Sequence, residues 1–147
     1  LALYLARRHL YEMFAHAMAE DPAECCGLLA GRDGRVERVY RLRNAEPEAT
    51  RRTRYTIDAM DQLRAMREMD DQGLELIGIF HSHPRTPSYP SATDVARSRM
   101  PGTTDPLYPG VAYLIVSLED PARPYVRAFR LDGPEIEEER LVVVADE

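Results

Sequence analysis

The chain has 147 residues, 44% hydrophobic and 30% charged, which suits a single domain with its own core and calls for no second one. Its net charge of −6 excludes a surface built mainly for nucleic-acid phosphates, and its apolar runs are strand-sized, far short of the roughly 20 residues that span a bilayer. All 19 basic residues are arginine, which excludes Schiff-base chemistry on lysine, and the charged N-terminus is unlike a secretory signal, so a cytoplasmic protein with no nucleic-acid or membrane partner is expected.

Residues 3–5 read as a short apolar strand, followed by a helix over 7–19 with Leu10, Phe14, Ala17 and Met18 inward and Asp21-Pro22 ending it. Residues 27–30 form a strand, Arg32-Asp33-Gly34-Arg35 a turn, and 36–42 its hairpin partner, irregular where Val39 and Tyr40 break strict alternation. After a loop over 44–50 and a brief strand over 54–57, Asp58 caps a second helix reaching about residue 71, with Met60, Leu63, Met66 and Met69 or their neighbours inward and Gly73 closing it. A strand over 74–81, a proline-rich loop, a short helix near 92–99 and a Pro- and Gly-rich loop over 100–110 come next. Strands over 111–118, 125–131 and 137–144 finish the chain. Hairpins beside a strand-helix-strand unit predict an α/β protein whose mixed sheet is packed by helices.

Two local features stand out along the way. Residues 31–55 hold eight arginines against four acids, a local charge of +4 that a solvated strand face accounts for, with an acidic partner as the alternative. Cys25 and Cys26 are adjacent, which suits neither a C-x-x-C metal pair nor an ordinary disulfide; as neighbours on a strand they point to opposite faces, and both are expected to fill space.

The densest chemistry lies between residues 81 and 94. His81 and His83 end an apolar strand and, being two apart, share one of its faces. Pro84, Pro87 and Pro90 then stiffen a loop that returns the chain to Ser91 and Asp94. Ser91-Ala92-Thr93-Asp94 also matches a looser capping box, a reading that by itself would explain both residues. Two histidines and one carboxylate leave a fourth position open, as catalytic rather than structural zinc requires, so a hydrolase is the first expectation.

His81-x-His83-Pro84, six residues, Ser91, two residues and Asp94 resembles, at every position, the signature of the JAMM (MPN+) metallopeptidases. That family also carries a glutamate well upstream at the start of an apolar strand, and the segment from Pro22 to Gly31 resembles it, with Glu24 in the glutamate's place. The resemblance runs from the first helix to about Arg130 and implies a JAB/MPN-like single domain with a curved mixed β-sheet flanked by helices. It further implies one Zn²⁺ on His81, His83 and Asp94, with Glu24 activating a zinc-bound water and passing its proton to the leaving amine, and Ser91 hydrogen bonding the oxyanion. The compact chain is similar to the prokaryotic branch, which implies a substrate that is a ubiquitin-like or sulfur-carrier protein cut after an extended Gly-Gly tail, laid along a sheet edge by strand addition.

The alternatives are a metal-free MPN-type scaffold, which lacks parts of the ligand set complete here, and a non-haem iron oxygenase, which shares the ligand types but needs a larger β-rich fold. A zinc deaminase is disfavoured because H-x-E and P-C-x-x-C are absent.

Overall fold

The computed structural model describes residues 2–146. In chain order the elements are β1 (Ala2–Ala6), α1 (Arg7–Glu20), β2 (Cys26–Arg32), β3 (Arg35–Leu42), α2 (Ala59–Asp71), β4 (Glu75–His83), α3 (Ala92–Arg97), β5 (Ala112–Ser117), β6 (Tyr125–Arg130) and β7 (Glu137–Val144). The sheet runs β3-β2-β4-β5-β6-β7-β1 and is of mixed direction, with β4–β5 and β1–β7 parallel and the other main pairs antiparallel. It curls until β1 also bridges β3 at Tyr4–Arg35, closing the sheet on itself.

Local chemistry explains the elements that carry the curvature. Asp33 and Gly34 both take positive φ, 54° and 73°, the conformation of a two-residue hairpin turn, and join β2 to β3. The irregularity expected at Val39 and Tyr40 lies slightly upstream: Ala30 faces Arg38 and Gly31 faces Val36, so Glu37 is the bulged residue. A second register shift opposite β4, between Leu29 and Ala30, bends the same end of the sheet. α2 starts on the Asp58 side chain, which accepts the Asp61 N–H, and stops where Gly73 adopts φ 67° and the Leu74 N–H reaches the Met69 carbonyl at 2.8 Å.

Each face of the sheet buries its own apolar cluster. Leu29, Phe80, Leu114 and Val116 pack with Met13 and Ala17 of α1, whereas Leu28, Ile79, Ile115 and Phe129 pack with Ala65 and Met69 of α2. Full burial of each such large side chain favours folding by about 1.5–3 kcal/mol relative to exposure. The inner faces of both long helices differ in part from expectation. On α1 Ala17 is buried and Leu10 and Phe14 pack against the core as expected, but Met18 is 50% exposed and the buried face extends to His9, Met13 and His16. At His16 the cause is polar: its Nε2 lies 3.0 Å from the Cys26 carbonyl and 3.3 Å from that of Leu42, tying this face to the β2–β3 end. On α2 only the C-terminal half meets the sheet; Met60 and Leu63 are exposed, and Gln62 instead donates to the Tyr108 hydroxyl at 2.8 Å. The brief strand expected over 54–57 reduces to one isolated bridge, Asn44–Ile57.

The metal-motif strand β4 pairs with β5 as far as His83–Ser117, whereas its ladder with β2 ends at His81–Cys26, so His83 has a neighbouring strand on the β5 side alone. Among the described residues, no helix is long and apolar enough to cross a membrane.

Candidate metal centre

Alternation along β4 sends Phe80 into the α1-side core and Ser82 to the Cys25 N–H, leaving Ile79, His81 and His83 on the face toward α2 and α3. The proline loop that follows is stapled to the next strands. Ser88 Oγ donates to the Ile115 carbonyl at 2.6 Å, and Ser117 Oγ to that of Thr86 at 2.7 Å. This fixes where α3 begins. Ser91 Oγ accepts the Asp94 N–H at 3.0 Å while Asp94 Oδ2 accepts the Ser91 N–H at 2.9 Å, a full capping box.

Asp94 Oδ2 is thereby delivered to the histidines. It lies 3.1 Å from His81 Nε2 and 3.1 Å from His83 Nε2, and the two nitrogens are 3.2 Å apart. Tetrahedral ligands held at about 2.0–2.1 Å from zinc sit about 3.3 Å from one another, so the triangle has the dimensions of three ligands around one small cation. Its electronics agree. His83 Nδ1 donates to the Pro87 carbonyl at 2.9 Å, which fixes the tautomer with the Nε2 lone pair facing inward. With His81 in the tautomer that also turns its Nε2 lone pair inward, two nitrogens and a carboxylate oxygen converge as acceptors around one point, the arrangement a cation would hold.

His81 is held differently. Its Nδ1 is buried with no hydrogen-bond partner, and its ring stacks on Tyr55 with centroids 4.5 Å apart and planes 26° from parallel. The two imidazoles therefore respond differently to their shared carboxylate. Burial lowers the His81 pKa and outweighs Asp94, whereas at His83 the hydrogen bonds to Asp94 and Pro87 overcome burial and raise it. Asp94 itself is opposed by burial but held well below the usual carboxylate range by its two histidine partners.

Glu24 lies just before β2. Its N–H donates to the Arg51 carbonyl at 2.8 Å and its carbonyl accepts Asn44 Nδ2 at 3.0 Å, so the Arg-rich loop clamps its backbone. The side chain is 4% exposed and its Oε1 has no partner, and burial pushes its pKa up to about 8. Glu24, His83 and Ser91 line one cleft of about 330 Å³, together with Pro22, Arg52 and Arg85. All five residues singled out in the sequence thus meet: three as a ligand triangle, two on the adjoining wall.

Tyr55, the Pro87 carbonyl and the Arg51 carbonyl were not anticipated. They act through ring stacking or the backbone, and no spacing pattern marks such contacts. The neighbouring sulfurs stay apart from the ligand group: Cys25 and Cys26 are free and buried, and burial pushes the Cys25 thiol up to about 12. The basic segment divides in two. Arg32, Arg38, Arg41 and Arg43 pair with Glu37, Glu68, Glu12 and the acids Asp58 and Asp61, the solvated face expected, while Arg51, Arg52 and Arg54 have no acidic partner among the described residues.

The chain is similar to known proteins of one family. Residues 6–132 match the family model described as prokaryotic homologs of the JAB domain. The chain is 37% identical over 134 residues to the CysO-cysteine peptidase of Mycobacterium tuberculosis, covering 90% of this chain and 84% of that one. It is 38% identical over 144 residues to a probable TtuB-protein conjugate cleaving protease of Thermus thermophilus, covering 98% of this chain and 84% of the other. Among solved structures, protein DSY2949 from Desulfitobacterium hafniense superposes with a TM-score of 0.83 at 34% identity, covering 98% of this chain and 94% of that one.

Proposed function

We propose, from the premise that this chain belongs to the prokaryotic JAB family of JAMM-type metallopeptidases, that it hydrolyses the bond after the C-terminal Gly-Gly of a ubiquitin-like or sulfur-carrier protein. The observation that carries the reading is the convergence of His81, His83 and Asp94 beside a buried carboxyl, Glu24, that has no partner of its own. The similar proteins supply the substrate class, being named for action on CysO-cysteine and on TtuB conjugates.

His81, His83 and Asp94 would hold zinc, which supplies Lewis acidity that polarises a carbonyl and makes a water easy to deprotonate. Glu24 takes the proton from the attacking water. A carboxyl whose pKa burial has raised to about 8 accepts and returns protons near neutrality, so the same group then delivers that proton to the departing nitrogen. The water oxygen becomes bonded to the glycine carbonyl carbon, the C–N bond breaks, and an amine leaves. Ser91 Oγ, which accepts the Asp94 N–H, still has its own proton to donate to the oxyanion of the tetrahedral intermediate. The tail lies extended beside the end of β4, on the side where His83 has no ladder partner.

Incubation with a panel of small ubiquitin-like proteins bearing C-terminal extensions, with and without chelator and read by intact mass, tests the reading. Chelator-sensitive release of everything after Gly-Gly is expected. Cleavage elsewhere, or equal cleavage when both glycines are replaced by bulky residues, refutes it.

A further inference from the structure

Resting on that reading, we propose that the cleft beside Glu24 is a subsite for an anionic leaving group: the free α-carboxylate of a single amino acid attached after Gly-Gly, received by Arg52. The side of the reaction follows from the proton. Whatever amine departs must lie within hydrogen-bond reach of Glu24, so the group it carries enters the cleft that Glu24 lines. Two arginines line that cleft, Arg52 and Arg85. Arg85 is already spoken for, bonded to Asp21 at 2.8 Å and to the Pro84 carbonyl at 2.9 Å. Arg52 has no acidic partner among the described residues, and its placement is built into the backbone, since the Arg51 carbonyl one residue before it receives the Glu24 N–H. The loop is itself wound tight: the Thr50 and Arg51 N–H groups reach the Pro47 carbonyl, each at 3.0 Å.

The chemistry of the substrate then decides which anion can arrive there. A Gly-Gly tail has no charge near the scissile bond. An amino acid joined through its α-amine places a carboxylate two bonds from the departing nitrogen, whereas a lysine side chain joined through its ε-amine brings four methylenes and no charge. The subsite therefore favours removal of one terminal amino acid over cleavage of a lysine-linked conjugate, and a guanidinium fork matches a carboxylate's two oxygens.

The test uses a ubiquitin-like protein cleaved in the panel, extended after Gly-Gly by one alanine that ends either in a free carboxylate or in a carboxamide. The zinc-loaded wild type is expected to cut the carboxylate form about ten-fold better in kcat/KM, mainly through KM, a size set by a charge-assisted hydrogen bond open to solvent. Arg52→Gln should bring that ratio close to one, with most of the loss falling on the carboxylate form, and Arg52→Lys should restore part of it. Glu24→Gln, binding the uncleaved forms, should show the same preference without turnover. Equal handling of the two forms by the wild type, or an equal loss on both in Arg52→Gln, overturns the subsite while leaving hydrolysis after Gly-Gly standing. No cleavage of any Gly-Gly extension overturns both.

Discussion

One oxygen, Asp94 Oδ2, meets three groups at once: the Ser91 N–H at the start of α3 and the two imidazole nitrogens. The helix-cap and metal-ligand readings of that residue are therefore the same structure. A related pair of roles separates Ser91 from Glu24, neither of which belongs to the ligand triangle. Ser91→Ala should slow turnover by about two orders of magnitude, the usual loss for one oxyanion donor, and Glu24→Gln should nearly abolish it, while both retain metal. Metal analysis beside a rate measurement decides this, and loss of zinc in either variant would move that residue into the ligand set. Glu24 also predicts a pH signature in the metal-free protein. Its folded pKa of about 8 lies above the ordinary 4.5, so its contribution to stability is complete below about pH 4.5 and is lost as pH rises through 8. In chelator, Glu24→Gln should gain on the wild type across that window by up to about 5 kcal/mol, seen as a widening difference in melting temperature between pH 5 and pH 9. A pH-independent difference would count against the buried, proton-holding carboxyl.

Among the elements, β2 sets the spacing of everything around the site, because it lies between β3 and the ligand strand β4. Gly27 makes that closeness possible. A Cβ there would sit 2.2 Å from the Tyr40 carbonyl and 2.3 Å from the Phe80 ring, on strands that cannot both yield. Gly27→Ala should therefore cost about 3 kcal/mol, read as a lowered urea midpoint, and an unchanged midpoint would show the strands to be more loosely packed than described. The elements also show what can be read from sequence and why. Every helix and strand was anticipated except that 54–57 gives a single bridge, because turns and caps are local: Asp33-Gly34, Asp58 and Gly73 each act within a few residues. The Glu24, His81, His83, Ser91 and Asp94 set was legible because period-two spacing and a stiff loop place four of its members, and the family resemblance supplied Glu24. Partnerships between distant elements were not. His16 ties α1 to carbonyls 10 and 26 residues away, and Tyr55 reaches His81 across the fold, which no local pattern records.

For the molecule as a whole, the ligand triangle rests on a closed sheet and on loop staples made of the protein's own hydrogen bonds. Chelation should lower the melting temperature but leave the circular dichroism spectrum at 25 °C unchanged. Zinc at 100 times its dissociation constant should stabilise by about 2.7 kcal/mol, which for a protein of this size raises the melting temperature by roughly 5–10 °C. Asp94→Asn, which can still accept the Ser91 N–H, should remain folded and show no such rise; unfolding of the chelated wild type would instead make the metal part of the fold. The same enclosure governs sulfur. Both cysteines are buried, 1% and 0% exposed, and the surface offers no thiol to an oxidant or an alkylating agent. A substrate that carried a thiol would therefore find no accessible protein sulfur with which to form a mixed disulfide.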